Sequence, residues 1–163
     1  MARWEEVAAA TGDLAAEVRA RFEATGLGLL ATLRKDGSPR ISGIEPSFAV
    51  GEVWLGMMDG SLKALDLRRD PRLAMHSATI DKEVTEGDAR ITGRAEELFD
   101  GDPRYAAYVE HLREHSDFDP DAGNPFHAFR VDVREIMLLR PAGDHLDIRT
   151  WRDGGEVRQI KRR

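Results

Sequence analysis

The chain has 163 residues, no cysteine and a formal net charge of −6. This length suits one folded domain, and the lack of cysteine excludes disulfides, thiolate metal sites and a catalytic thiol. An acidic balance argues against a nucleic-acid-binding protein, which is usually basic. No apolar run approaches the ~18 residues of a membrane span, and the acidic pair Glu5 and Glu6 is atypical of a signal peptide. We therefore expect a cytoplasmic protein.

The charge is unevenly distributed along the chain. Between Arg149 and Arg163 there are six basic residues and two acidic ones. A basic end on an acidic protein is typical either of a solvated tail or of a surface that attracts a small anionic ligand.

The hydrophobic pattern predicts helices and short strands in a definite order. Leu14, Val18 and Phe22 recur every four residues, which predicts an N-terminal helix over about 4–24. The elements predicted after it are strands at 27–34, 39–50 and 53–58, a helix at 61–69, strands at 72–79 and 88–98, a helix at about 102–116, a strand at 127–140, and a terminal hairpin at 145–152 and 156–162.

Most of these strands are joined by tight turns rather than by helices. Asp36-Gly37 is a typical hairpin turn, because such turns need residues that adopt positive φ. Because the predicted strands do not alternate strictly with helices, the pattern indicates an antiparallel sheet or barrel. We expect a mainly β protein with flanking helices, in one domain spanning 1–163.

Two short motifs match known binding-site patterns but lie in the wrong structural context for those sites. The run Gly26–Ala31 fits G-x-G-x-x-A, but it follows a helix and enters a strand, whereas a dinucleotide fingerprint lies between a strand and the next helix. His111 and His115 fit H-x-x-E-H, yet they lie in an acidic helix with no evident third ligand. We expect no dinucleotide fold and no metal site.

The most informative stretch runs from Val53 to Pro71. A strand ends here, and Ser61 then opens a helix whose first turn carries Lys63. Free backbone N–H groups, a hydroxyl and an ammonium group at one helix N-terminus suit a phosphate monoester. Arg40, on the neighbouring predicted strand, could face the same phosphate. The alternative is an ordinary serine-capped helix beside a surface arginine.

The order of these segments resembles a known family. The chain contains, in order, ATLRKDGSPRIS, VWLGMM, S-x-K-A-x-x-L-x-x-D-P and a strand ending in G-x-A. This order is similar to that in the pyridoxamine 5′-phosphate oxidase-like superfamily, and more narrowly in its flavin/deazaflavin oxidoreductase branch. The resemblance is densest from about Leu27 to Glu97. It implies a split β-barrel, a homodimer with cofactor sites at the subunit interface, and a riboflavin-type cofactor held by its phosphate.

The resemblance also implies which residues contact the cofactor. Arg40, Ser61 and Lys63 would hold the phosphate. The isoalloxazine ring would be lined by Ile41, Ser42, Met57 and Met58. In the C-terminal stretch TWRDGGEVRQIKRR, Trp151 and Arg158 match residues that reach the cofactor in some relatives; the alternative for Trp151 is packing against the barrel.

The chain departs from the vitamin oxidase itself at two places. The C-terminal R-x-H pattern reads Arg158-Gln159-Ile160, and position 62 is leucine where that enzyme has a second basic residue. Oxidation of pyridoxamine phosphate is therefore not expected. The leading prediction is an FMN-dependent oxidoreductase that transfers hydride to or from a small organic substrate. The alternatives are a reductase that uses the deazaflavin coenzyme F-420, and a non-catalytic flavin-, deazaflavin- or haem-binding protein.

Overall fold

The chain forms nine β-strands and four α-helices, and the computed structural model describes residues 2–163. In chain order the elements are α1 (Trp4–Thr11), α2 (Asp13–Glu23), β1 (Gly28–Leu33), β2 (Pro39–Ile44), β3 (Pro46–Ala49), β4 (Glu52–Met58), α3 (Leu62–Arg69), β5 (Arg72–Ser77), β6 (Asp88–Leu98), α4 (Pro103–His115), β7 (Phe126–Ala142), β8 (His145–Arg152) and β9 (Arg158–Arg162).

All nine strands join one sheet, and every pairing is antiparallel. The strand order is β2-β1-β5-β6-β7-β4-β3. The long strand β7 pairs with β4 through its first part and with β8 through its second part, and β9 continues from β8. Within residues 2–163 no pairing joins β2 to β3, so the sheet is curved around a core but is not a closed barrel.

The strand expected over 39–50 is in fact two strands, β2 and β3, separated at Glu45. β2 pairs with β1, whereas β3 pairs with β4 at the other end of the sheet. Pro46 follows the break and has no backbone N–H for a ladder. The chain therefore changes partner strands here, which hydrophobic alternation alone does not reveal.

The N-terminal helix expected over 4–24 is likewise two helices, α1 and α2. They meet at Gly12, which has a φ of 53°. A right-handed helix requires negative φ, so glycine at this angle ends one helix and reorients the next. The apolar stripe was nevertheless predicted correctly, because Leu14, Val18 and Phe22 are all buried in the main core.

A second, smaller core lies beneath α4. The helix expected at about 102–116 is present, and the Asp102 side chain caps it by accepting a hydrogen bond from the Arg104 N–H at 2.8 Å. Tyr108 of α4 stacks on Trp54 of β4 with ring centroids 4.3 Å apart. This apolar cluster attaches α4 to the sheet. None of the helices in residues 2–163 combines the length and apolar character needed to span a bilayer.

Gly93 occupies a position in the sheet where no side chain fits. The register of β6 against β7 shifts between Thr92 and Gly93, and a Cβ added to Gly93 would overlap the carbonyl oxygen of Asp132. We predict that Gly93→Ala lowers the free energy of unfolding by about 2 kcal/mol or more, because a backbone atom must move. Urea denaturation checks this value. Arg94→Ala, at the exposed neighbouring position, is the control and should change it by less than about 0.5 kcal/mol.

Candidate functional site

At the N-terminus of α3, backbone N–H groups have no hydrogen-bond partner within residues 2–163. Ser61 is the N-cap residue, but its side chain makes no capping hydrogen bond, and its hydroxyl oxygen is buried without a partner within residues 2–163. The first intrahelical bond runs from the Leu65 N–H to the Ser61 carbonyl. The amides of residues 62–64 therefore have no partner in the helix, and a helix end of this kind attracts an anion.

Lys63 lies in the same turn as these amides. Its ammonium group donates a 2.7 Å hydrogen bond to the Gly43 carbonyl of β2. Partial burial lowers the pKa of Lys63, and the nearby Glu45 carboxylate opposes that shift. An ammonium group has three donors, so two remain for a ligand.

Arg40 is held against the same helix by Asp66. The Arg40 Nε donates to Asp66 Oδ2 at 2.6 Å, and within residues 2–163 its two terminal nitrogens have no hydrogen-bond partner. The Arg40 side chain thus extends from β2 to α3, and the Lys63 side chain extends from α3 to β2. Arg40 therefore meets the second turn of α3 at Asp66, whereas Ser61 and Lys63 lie at its first turn. The three residues predicted to hold a phosphate are all on β2 and the facing α3, but within residues 2–163 no hydrogen bond joins Arg40 to Ser61 or Lys63.

Asp66 joins three elements at this junction. Besides Arg40, its carboxylate accepts hydrogen bonds from Thr32 of β1 at 2.9 Å and from Arg69 at 2.9 Å. Burial alone would raise the pKa of Asp66, but the hydrogen bonds from Arg40, Arg69 and Thr32 outweigh it and hold the pKa at about 2. The carboxylate is therefore ionised at neutral pH and fixes the direction of Arg40.

A cavity of about 600 Å³ continues outward from Arg40. Its lining combines four cationic side chains with two acidic and two leucine side chains: Arg34, Lys35, Arg40, Arg69, Asp36, Asp66, Leu62 and Leu65. Since Asp66 is already engaged by Arg40 and Arg69, the positive charge dominates. The cavity suits an anionic group.

The four residues expected to line the ring occupy different environments. Ile41 is 71% exposed and Met58 is 81% exposed. Ser42 is half-buried and follows Ile41 in β2, so the two side chains point to opposite faces of the sheet. Met57 is buried in the main core. Ile41 and Met58 thus offer exposed apolar surface, whereas the Met57 side chain is part of the core.

Trp151 and Arg158 lie on β8 and β9, away from the β2–α3 junction along the strand order. Trp151 is buried in the main core beside β7, and its indole N–H has no hydrogen-bond partner within residues 2–163. Arg158 is exposed. Within residues 2–163 neither residue is hydrogen-bonded to Arg40, Ser61 or Lys63, so the structure of this chain does not join Trp151 and Arg158 to the predicted phosphate contacts.

Two buried polar residues near α3 were missed from the sequence, Asp66 and His127. Asp66 carries a detectable pattern, because it is an acid among the apolar helix positions Ala64 and Leu67 and so falls on the buried face. His127 bonds to Glu97 of β6 and to Gly60 before α3. These partners are 30 and 67 positions away along the chain, so no local spacing indicates the contact.

Comparison with known proteins identifies the class to which this fold and site belong. The family model described as pyridoxamine 5′-phosphate oxidase matches residues 14–140, which is more than half of the chain. The chain therefore belongs to the pyridoxamine 5′-phosphate oxidase family. A search of the curated proteins found no match.

Solved structures confirm the split β-barrel fold. A pyridoxamine 5′-phosphate oxidase-related, FMN-binding protein from Nostoc punctiforme is similar with a TM-score of 0.67 and 14% identity, over 93% of this chain and 95% of its own. PhzG from Burkholderia lata, solved with tetrahydrophenazine-1-carboxylic acid, gives 0.63 and 17%, over 91% and 90%. A conserved protein from Mycobacterium tuberculosis gives 0.57 and 25%, over 74% and 81%.

The Asp66 contacts predict a defined pH dependence of stability. Because the pKa of Asp66 is depressed in the folded state, its contribution is fully present above the unfolded value near 4 and is lost as pH falls through about 2. We predict that Asp66→Asn lowers the free energy of unfolding by about 2 kcal/mol at pH 7 and by less at pH 3. Chemical denaturation at both pH values checks this, with the exposed Asp117→Asn as the control. An equal loss at both pH values would contradict the role of the charge.

Proposed function

We propose that this protein binds FMN through its phosphate and catalyses an oxidoreductase reaction on a small organic substrate. One observation carries the proposal: the α3 N-terminus has open amides and a buried, unpartnered Ser61 hydroxyl. Membership of the pyridoxamine 5′-phosphate oxidase family supports it. So does the similarity to an FMN-binding protein from Nostoc punctiforme.

The residues present fit a phosphate dianion. Lys63 and Arg40 supply positive charge, the amides of residues 62–64 supply aligned donors, and Ser61 supplies a hydroxyl. Charge-assisted hydrogen bonds of this kind are the stronger class, and partial burial strengthens them further. Asp66 keeps Arg40 in place, so little side-chain freedom is lost when the phosphate binds.

The exposed apolar side chains suit the isoalloxazine ring. Ile41 lies on β2, the strand that also carries Arg40, and Met58 is the last residue of β4, just before the turn into α3. Bound FMN supplies hydride transfer, so the protein itself need provide only binding, orientation and exclusion of water.

The cavity beside Arg40 favours a second candidate, the deazaflavin coenzyme F-420. This coenzyme carries an acidic glutamyl tail beyond its phosphate, whereas FMN ends at the phosphate. Arg34, Lys35 and Arg69 line this cavity together with Arg40 and would attract such a tail. FMN remains the first candidate because an FMN-binding protein is among the similar structures.

We also propose that the protein acts as a homodimer. The outer face of the sheet around β1 and β2 is apolar and open: Leu29 is 50% exposed, Ile41 is 71% exposed, and Ala31 lies opposite Ile41. An exposed patch of this kind is typical of a protein–protein interface. A second copy on this face would also cover Ile41, one of the residues proposed to line the ring.

Titration of the purified protein with FMN and separately with coenzyme F-420 tests the proposal. Saturable quenching of cofactor fluorescence by one of them is the expected result, and that ligand is then the cofactor. Binding of neither would overturn the flavin and deazaflavin proposals together. Absorbance titration with haemin would then examine the remaining alternative of a haem-binding protein.

Lys63→Glu tests the phosphate site within that experiment. The substitution places a negative charge against the phosphate dianion, so we predict a loss of affinity of at least ~2 kcal/mol, roughly thirtyfold. Lys82→Glu makes the same charge change at a side chain that is 90% exposed in the loop before β6, and it should leave the dissociation constant within about twofold. Unchanged affinity in a folded Lys63→Glu protein would remove Lys63 from the site.

Leu29→Glu tests the homodimer. A carboxylate at the centre of the apolar face would have to be buried without a partner, so we predict dissociation to monomers in sedimentation velocity at micromolar concentration. Phe99→Glu changes another exposed hydrophobic residue, 59% exposed after β6, and should leave the dimer intact. A wild-type protein that sediments as a monomer would contradict the proposed assembly.

A further inference from the structure

His127 is a buried histidine whose two ring nitrogens are both engaged. It lies in β7 opposite Met57 and is 5% exposed. Its Nε2 is 3.0 Å from the backbone nitrogen of Gly60, and its Nδ1 is 2.8 Å from Glu97 Oε1. The imidazole therefore connects the core of the sheet to the turn that leads into α3.

The Gly60 contact determines where the imidazole carries its proton. A backbone N–H can only donate, so Nε2 must be the acceptor and the ring must be neutral. The proton then lies on Nδ1 and is donated to the Glu97 carboxylate at 2.8 Å, the shorter of the two contacts of Nδ1. The other contact of Nδ1 is with Arg68 Nη2 at 3.2 Å, and that nitrogen donates to the Glu97 carboxylate instead. Arg68 of α3 donates to the same carboxylate through Nε at 2.6 Å and Nη2 at 2.8 Å, and this pair keeps Glu97 ionised as an acceptor.

The turn anchored in this way is the one that presents the open helix end. It runs from Met58 to Ser61 and is closed by a hydrogen bond from the Ser61 N–H to the Met58 carbonyl at 3.2 Å. Gly60 directly precedes Ser61, so the imidazole holds the backbone one residue before the unpartnered hydroxyl and the amides of residues 62–64. The exposed carboxylate of Asp59 also lies near Nε2, at 3.5 Å.

We propose that His127 is a positioning residue for phosphate recognition. Its neutral, Nδ1-protonated ring accepts the Gly60 N–H and so fixes the direction of the α3 N-terminus toward a phosphate-bearing ligand, while Glu97 and Arg68 fix the ring. The inference rests on the proposed flavin-binding function and deepens it. It assigns to His127 the discrimination between phosphorylated and unphosphorylated forms of the same flavin, without contact between His127 and the ligand.

The test compares FMN with riboflavin, which has the same ring and no phosphate. In His127→Leu, the Gly60 N–H loses its acceptor, and we expect FMN affinity to fall about tenfold while riboflavin affinity stays within about twofold. In His127→Gln, the side-chain amide can accept from Gly60 and donate to Glu97, so FMN affinity should return to within about threefold of wild type. A general loss of structure would lower both affinities equally.

His145→Leu makes the same substitution at a histidine of β8, away from the turn, and should alter neither affinity. An unchanged ratio of FMN to riboflavin affinity in folded His127→Leu would overturn the inference while leaving the FMN proposal intact. A wild-type protein that binds neither flavin would instead overturn the proposed function itself.

The tautomer gives a second measurement that does not depend on a variant folding. In ¹⁵N-labelled wild-type protein, long-range ¹H–¹⁵N correlation should identify His127 as neutral, with the proton on Nδ1 and an unprotonated Nε2. A ring protonated on Nε2 could not accept the Gly60 N–H, and that result would overturn the positioning role.

Discussion

The buried carboxylate of Asp66 is the interaction on which the candidate site depends. It accepts hydrogen bonds from Thr32 in β1, Arg40 in β2 and Arg69 in α3, and so it joins two strands to the helix that faces them. Burying a carboxylate is unfavourable unless its lone pairs are satisfied, and here two guanidinium groups and a hydroxyl satisfy them. The same contacts prevent Arg40 from moving freely, so its direction relative to α3 is fixed.

A second polar cluster also holds α3 against the sheet. His127 and Glu97 lie on β7 and β6, and they reach Gly60 before the helix and Arg68 within it. The helix is only eight residues long and has no side-chain cap of its own. Short helices are marginal in isolation, so its position must come from such tertiary contacts. The two clusters therefore hold α3 in place without using the amides of its first turn.

Several parts of the fold were predictable because local chemistry dictates them. The Asp36-Gly37 turn, the Asp102-Pro103 start of α4 and the apolar stripe of α2 all follow from conformational preference or periodicity. The two breaks were not predicted. Gly12 interrupts a continuous apolar stripe, and Glu45 is the point where the chain leaves β1 for β4. Both breaks depend on which element the following residues pack against, and a short stretch of sequence does not determine that.

The sequence by itself determined the class of protein, and it predicted Arg40, Ser61 and Lys63 as phosphate contacts, because these residues belong to segments whose order and spacing are typical of one family. Only the tertiary structure decided how these three residues are held. Asp66, Glu97 and His127 contact partners from 3 to 67 positions away along the chain, so their roles depend on the sheet register and on the packing of α3. Buried polar side chains need partners, and in a β-sheet protein the fold brings those partners from distant segments.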